Sequence, residues 1–588
     1  MNRRRIYPFA ATVLSASLVV SGCSVPWQRD GVQAFVAAFN DGEYQEAAEA
    51  TSDPQRALRD LEEMAAGIGD STVTLSAGGE EDGAYEIEAQ WTVPSGAQFS
   101  TTGSASLGEA SDTMVWDASV FDSQLSGDVS FVYSDDRDVS TQLLDRKGTD
   151  VMEWTTVQVV SAGPDAIGRA EEIAAAVNPV LPDVTPESVR AAIESAGEDS
   201  TVLYTFRPED WEAVGSALSQ IEELQVSEQG QMLGAVREAD SPLEGGLRDY
   251  WLEQITAAAG WTLAAQTPDG RVVLGQEDAE PVEPLRTTLD LGVQTAANRA
   301  LELEDRPAAI VALSASTGGV IAVSQNDAAD AKGPIALTGL YPPGSTFKTV
   351  TTAAALQRGT VTANETVACP AVAEIDGRVM PNDGEFDLGE VSMTEAFAQS
   401  CNTTQGFISQ DLQPEDLPNM AAQMGIGVDF QAPGMTTVTG AVPATEPGAA
   451  RVEAAIGQGE VLASPFGLAV MEATLGNGGR MVLPSIMQGE ETTADQQPEP
   501  IDPAVVGDIR DMMAATVERG TASSLSYIED LGGKTGTAEV GDGSSHGWFT
   551  GIKGDLAFAV FVEGGGSSAP AVQATERFLT NPAMEEWR

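Results

Sequence analysis

Tyr341-Pro342-Pro343-Gly344-Ser345-Thr346-Phe347-Lys348 is the stretch on which the reading of this chain turns. The prolines cannot continue a helix and the glycine permits a sharp turn, so a helix is predicted to begin near Ser345. Ser345 and Lys348, three residues apart, then share one helix face. The serine would lie at the positive end of the helix dipole, where developing negative charge is favoured. A lysine withdrawn from water, or placed beside another cation, loses its proton more easily and can act as a base. Taken alone, Ser-x-x-Lys is better read as an N-cap serine followed by a solvated lysine.

Composition favours the chemical reading. The chain has 588 residues, with 30 Lys+Arg against 89 Asp+Glu, so the net charge is 30 − 89 = −59. A surface of that sign is a poor partner for nucleic acid. One histidine and three cysteines cannot supply a His-rich zinc site or a disulfide-dense scaffold. No metal or other cofactor is expected. A serine nucleophile relying on histidine could draw only on His546, which reads as a structural residue. Lysine is the alternative base.

Two further motifs lie downstream: Ser400-Cys401-Asn402, and Lys534-Thr535-Gly536-Thr537 after Leu531-Gly532-Gly533. Around them the pattern is α+β. Apolar runs at 309–313 and 319–323 flank Ser316-Thr317-Gly318 as a hairpin. Alanine-rich helical segments are predicted at 346–357 and 392–409, a polar loop at 485–500, and strands with Gly-rich turns in the last stretch. The implied domain is a sheet flanked by helices. Upstream, Val32, Phe35, Val36 and Phe39 make one helix face, Asp41-Gly42 breaks it, and Leu58, Leu61 and Met64 mark a second helix. Tyr85, Ile87, Ala89, Trp91 and Val93 alternate with polar residues as a half-buried strand does. A middle segment carries predicted strands at 157–160 and 201–204 and helices at 165–177, 185–195 and 209–222, with no chemical cluster.

The three motifs in this order are the signature of penicillin-binding proteins and class A β-lactamases. The sequence resembles a class B penicillin-binding protein of the actinobacterial lipoprotein type. Leu285-Arg286-Thr287-Thr288-Leu289-Asp290 with Gln294, Ile456-Gly457-Gln458-Gly459 with Ser464-Pro465, and His546-Gly547-Trp548-Phe549 add to the likeness. Residues 31–138 resemble the cone-shaped N-terminal domain of the methicillin-resistance transpeptidase. Residues 139–282, opening on Leu144-Asp145-Arg146-Lys147-Gly148, resemble the class B pedestal or dimerisation domain, and 283–588 the transpeptidase domain.

That resemblance implies a peptidoglycan D,D-transpeptidase without a glycosyltransferase domain, acting on stem peptides ending in D-Ala-D-Ala and acylated by β-lactams. The alternative is a β-lactamase or β-lactam sensor with the same acylation chemistry. It implies that Ser345 attacks the penultimate D-Ala carbonyl, Lys348 takes the proton, and Ser400 relays a proton to the leaving amine between Lys348 and Lys534. Asn402 would bond a substrate amide, and Lys534, Thr535 and Thr537 its terminal carboxylate. Gly536 would let the substrate backbone approach the strand. The N–H groups of Ser345 and Thr537 would form the oxyanion hole.

The N-terminus reads as an address. Arg3-Arg4-Arg5, an uncharged apolar run at 9–20 and Val20-Ser21-Gly22-Cys23 follow the layout of a secretory signal. The last four residues resemble a lipoprotein box, implying residues 1–22 as signal peptide, lipidation at Cys23, a tether at 23–30, and residence on the outer face of the plasma membrane. Cell-wall elongation or division proteins are the protein partners this setting implies. Cys369 and Cys401 remain, either as a disulfide, which an exported setting favours, or as two buried thiols.

Overall fold

In the C-terminal part, five antiparallel strands run side by side: β1 Ala308–Ser314, β2 Val320–Gln325, β3 Leu531–Glu539, β4 Ser545–Lys553 and β5 Leu556–Val562, in spatial order β2-β1-β5-β4-β3. Strand alternation divides β1 between two cores. Ala308, Ile310 and Ala312 face a cluster shared with helices α1 Leu291–Leu301 and α7 Ala569–Thr580. Ala309, Val311 and Leu313 face a larger cluster. The second cluster includes helices α2 Lys348–Arg358, α5 Pro465–Gly476 and α6 Pro503–Glu518. Both faces are covered, so β1, β2 and β5 are buried along their whole length and are predominantly apolar. The strand β3 ends the sheet, so one row of its backbone groups has no neighbouring strand.

This computed structural model describes residues 30–81, 83–108, 112–541 and 543–587. The reading of Cys23 and of residues 1–22 therefore lies outside the described residues. The chain divides into two compact units: one runs through Arg137 and includes Ala258–Glu280, and the other comprises Asp138–Ala257 and the chain from Pro281. The first unit contains helices Gly31–Asn40, Tyr44–Glu49 and Pro54–Gly67 and a three-stranded sheet at Thr72–Glu81, Ala84–Thr92 and Gln98–Ser106. Asp30 and Asp53 cap two of those helices through their carboxylates. Tyr85, Ile87, Ala89 and Trp91 are buried as their alternation predicts. The break at Asp41-Gly42 is present, with Gly42 at φ 80°.

Residues 139–282 are divided between these two units. Strand Gly260–Thr267 pairs with Gly270–Glu277 on one side and with Ser130–Asp136 on the other, and Trp261, Leu263 and Ala265 are buried in the core of the first unit. Residues 138–257 group with the transpeptidase part, through parallel pairing of Leu143-Leu144 with Leu285-Arg286. Lys147 reaches the Asp290 carboxylate at 3.0 Å within that unit. Among the described residues, no helix is long and apolar enough to cross a membrane.

Candidate active site

The turn carrying Ser345 is wound as a short 3-10 segment, Gly344–Phe347, and α2 starts at Lys348. Two glycines let this turn press against β3. Gly344 has φ 54°, and a Cβ there would lie 2.5 Å from the Thr537 carbonyl oxygen. A Cβ at Gly536 would lie 2.8 Å from Thr346 Cγ2 and 3.0 Å from the Pro343 oxygen. The turn carrying Ser345 therefore leaves no room for a side chain at 536, whatever approaches the strand from outside. Further bonds pin the turn: Trp548 Nε1 donates to the Pro342 oxygen at 3.0 Å and the Thr346 hydroxyl to the Pro343 oxygen at 2.8 Å. Gly344 N–H donates to the Gly457 oxygen at 2.9 Å. The neighbouring Gln458 amide, with its oxygen toward the N–H, pairs with both backbone groups of Glu539 at 3.0 and 3.3 Å. The Gly-Gln-Gly stretch thus braces the serine turn and the end of β3 together.

The helical segment predicted over 392–409 is two helices, α3 Met393–Ala398 and α4 Asn402–Ser409, broken at Ser400. Ser400 N–H donates to the Phe397 oxygen at 2.9 Å and Cys401 N–H to the Ala396 oxygen at 2.8 Å. Those bonds form a Schellman cap, whose left-handed position glycine usually fills. Here it holds Ser400 at φ 59°. A non-glycine residue in this region stores about 1–2 kcal/mol of strain, and the break turns the Ser400 hydroxyl toward two lysines. Ser400→Gly is expected to preserve or raise the melting temperature while acylation of the site falls about 100-fold or more. Thermal melting and β-lactam labelling of one preparation check both halves.

Lys348 and Lys534 are both 0% exposed. Lys348 Nζ donates to the Ser400 backbone oxygen at 2.7 Å, to Asn402 Oδ1 at 2.6 Å and to Ser400 Oγ at 3.2 Å. Lys534 Nζ donates to Ser400 Oγ at 2.9 Å and to the Thr535 oxygen at 3.0 Å, and sits 5.7 Å from the Phe397 ring centre. Burial pushes the Lys348 amine well below its ordinary value, helped by the adjacent Lys534 charge and opposed by Asp383. Burial alone pushes Lys534 down to about 7. By contrast Ser345, Ser400, Asn402 and Thr537 are partly exposed, so the hydroxyls and the amide are open to a ligand while the two amines stand behind them.

The structure thus brings Lys348, Ser400, Asn402 and Lys534 into one hydrogen-bonded group, with Ser345 on the turn against β3. Lys348 does not pair with Ser345: its three bonds go to Ser400 and Asn402, because the amine is drawn inward toward those oxygens. Thr535 is buried and shares a hydrogen bond of 2.6 Å with Thr521, an exposed residue that the sequence reading missed. Cys369 and Cys401 form a disulfide beside Ser400. His546 is buried on β4, accepts from Gly564 N–H at 3.2 Å through Nδ1 and stacks edge-on with Tyr341, as a structural histidine does. Among the described residues no group of His, Cys, Asp and Glu could hold a metal ion.

Comparison with known proteins places this geometry. Residues 308–584 match the penicillin binding protein transpeptidase domain. The chain carries a transpeptidase domain of the penicillin-binding protein family. It is 30% identical over 261 residues to the peptidoglycan D,D-transpeptidase PbpA of Mycolicibacterium smegmatis, covering 40% of this chain and 52% of that protein. Likeness to PbpA of Mycobacterium tuberculosis is 29% over 269 residues, covering 42% and 54%. The chain thus spans about half the length of these relatives. Penicillin-binding protein 3 of Bacillus subtilis is 22% identical over 555 residues, 80% of this chain and 81% of that protein. Every sequence-predicted catalytic and substrate-binding residue, Ser345 through Thr537, falls inside the matched domain.

Proposed function

We propose that the protein is a class B peptidoglycan D,D-transpeptidase, and that Ser345 is its acylated nucleophile. The observation that carries this reading is the pair of buried lysines meeting at Ser400 Oγ, with Ser345 on a turn pressed against the open edge of β3. A stem peptide lies along that edge as an added strand. Its terminal carboxylate meets the Lys534 charge and the Thr535 and Thr537 hydroxyls, with Thr521 beside Thr535. Asn402 spends its oxygen on Lys348 and one N–H on the Pro381 oxygen at 2.8 Å, which leaves the second N–H for a substrate carbonyl.

Ser345 Oγ attacks the carbonyl carbon of the penultimate D-Ala while neutral Lys348 receives its proton. The oxyanion is held by the N–H groups of Ser345 and Thr537, donors that typically contribute about 3–4 kcal/mol each. The C–N bond then breaks. Ser400 gives its proton to the leaving D-Ala amine and regains one from Lys348, and Lys534 steadies the Ser400 oxygen as it changes charge. An amine of a neighbouring stem peptide attacks the ester, gives up a proton to the same relay and frees Ser345, completing a crosslink. We further propose that lipidated Cys23 tethers the chain to the outer face of the plasma membrane, that no glycosyltransferase activity accompanies it, and that the first unit resembles the N-terminal domain of the methicillin-resistance enzyme.

Fluorescent penicillin tests the core of this reading. A label on Ser345 that persists for many minutes and is lost in Ser345→Ala, with the fold intact by circular dichroism, supports it. Rapid release of hydrolysed drug would identify a β-lactamase instead, and a wild-type protein that never labels would sink the acyl-enzyme itself.

A further inference from the structure

The helix α4, which presents Asn402, begins without a good cap of its own. Its N-cap residue is Cys401, and the only side-chain acceptor there is a disulfide sulfur, 3.5 Å from Thr404 N–H. The first N–H groups of a helix need partners, and sulfur is a weak one. Both are met from elsewhere. Asn382, 2% exposed, accepts through Oδ1 from Asn402 N–H at 2.8 Å and from Thr403 N–H at 3.2 Å. Its Nδ2 donates to the Pro370 and Phe386 oxygens, both at 2.9 Å. The Thr403 hydroxyl reaches the same Pro370 oxygen at 2.9 Å. One buried amide thus joins both ends of the 370–386 excursion to the start of α4, beside the Cys369–Cys401 bond.

We infer that Asn382 is a positioning residue for the acylation reaction: by capping α4 from outside, it sets where Asn402 and the Ser400 carbonyl stand against Lys348. Ser400 lies between the two helices and Asn402 opens the second. The Schellman cap of α3 fixes one side from within its own strand of chain, and Asn382 fixes the other. Lys348 takes its two shortest bonds from groups in this interval, the Ser400 oxygen and Asn402 Oδ1. A displacement of the first turn of α4 therefore moves the base.

Asn is required over Asp on two counts: its Nδ2 donates to the Pro370 and Phe386 oxygens, which an acceptor-only carboxylate cannot do, and a charge here would act on Lys348. Aspartate caps helices as well as asparagine does, but a carboxylate here would favour the Lys348 ammonium. The charged groups that already act on Lys348 are Lys534 from β3 and Asp383 from the loop next to Asn382. A neutral cap holds α4 without adding a second acidic neighbour.

This inference rests on the acyl-enzyme reading, and one set of measurements separates the two. Acylation of the full chain by a fluorescent penicillin would be followed against pH for wild type, Asn382→Ala and Asn382→Asp. Asn382→Ala, which loses the cap, is expected to lower the plateau rate at least about tenfold. Asn382→Asp keeps both acceptor bonds but turns an oxygen toward the Pro370 and Phe386 carbonyls, so its melting temperature is expected to fall; in the folded variant the plateau is expected to hold within a few-fold and the acid limb to move upward by about one pH unit. Those two signatures differ, whereas simple loosening of the fold would lower both plateaus without moving a limb. An alanine variant with wild-type rate and pH profile overturns the inference, as do two folded variants with equally lowered plateaus and unmoved limbs. Should the alanine chain fail to fold, the aspartate variant decides: an unshifted acid limb or a tenfold lower plateau in the folded variant counts against it. A wild-type protein that does not label fails at the earlier step, in the acyl-enzyme reading.

Discussion

Replacing Lys348 by methionine is expected to slow acylation of Ser345 by about 100- to 10,000-fold, the range a lost general base commonly costs. Methionine keeps the length and fills the buried space, so the loss reports the amine. The argument starts from burial. An ammonium with no exposure and a second cation nearby is costly, and its proton affinity falls well below that of a free lysine. A charged Lys348 uses three donors on Ser400 and Asn402. A neutral one keeps two of these bonds and turns a lone pair toward the hydroxyls. The wild-type rate should therefore rise with pH as Lys348 gives up its proton. It should fall again as Lys534, held at about 7 in the unliganded protein, loses the charge that attracts a carboxylate. Binding a carboxylate-bearing β-lactam favours charged Lys534, so the alkaline limb should lie higher in the saturated rate than in the second-order rate constant. Lys348→Met should lose the acid limb and retain the alkaline one. Stopped-flow acylation across about pH 5 to 9 checks this. An unchanged acid limb in the methionine variant would assign the base elsewhere.

Much of this site was legible because the three motifs each carry their chemistry within four residues. Proline and glycine punctuate the Ser345 turn, and the full sequence holds only five lysines, two of which are Lys348 and Lys534. What escaped depends on long-range geometry. The residues of 392–409 favour helix on both sides of Ser400, and nothing in serine itself announces a left-handed cap; only the tertiary demand that its hydroxyl meet two amines explains the break. Asn382 is one polar residue in a polar excursion, and its role exists only because α4 arrives beside it with a disulfide at its own N-cap. The strand at 260–267 fits a middle domain by position, yet pairs with 130–136 across more than a hundred residues, a register that local pattern does not encode. Gly536 was read for the room it leaves a substrate backbone; that Thr346, Trp548 and Pro343 also crowd the position depends on the tertiary fold.

Glu472→Met is expected to stabilise the C-terminal unit, and increasingly so as pH rises from about 4.5 to about 8. Helix α5 is buried from Pro465 to Leu475, so its one carboxyl stands in an apolar core. Neither oxygen has a hydrogen-bond partner among the described residues. Burial pushes the group up to about 8, against smaller downward pulls from Thr550 and Arg510. The sign follows from proton binding. Below the ordinary value of 4.5 the carboxyl is protonated in both folded and unfolded chains, and pH has no leverage. Between that value and about 8 the unfolded chain releases the proton while the folded chain keeps it, so stability falls with each unit of pH. Above about 8 both forms are ionised and the penalty is constant. The full span corresponds to roughly 3–5 kcal/mol at one unit per 1.4 kcal/mol. Methionine of similar volume removes the penalty and adds no polar group to the core, leaving the Thr550 hydroxyl unpaired there as before. Glu472→Gln should remove the pH dependence as well, but gain less, because its amide remains unpartnered in the same core. Denaturant midpoints at about pH 5 and pH 8 check the slope. Equal gains at both pH values would mean that Glu472 carries its charge in the folded protein throughout, and that a partner for it forms in solution.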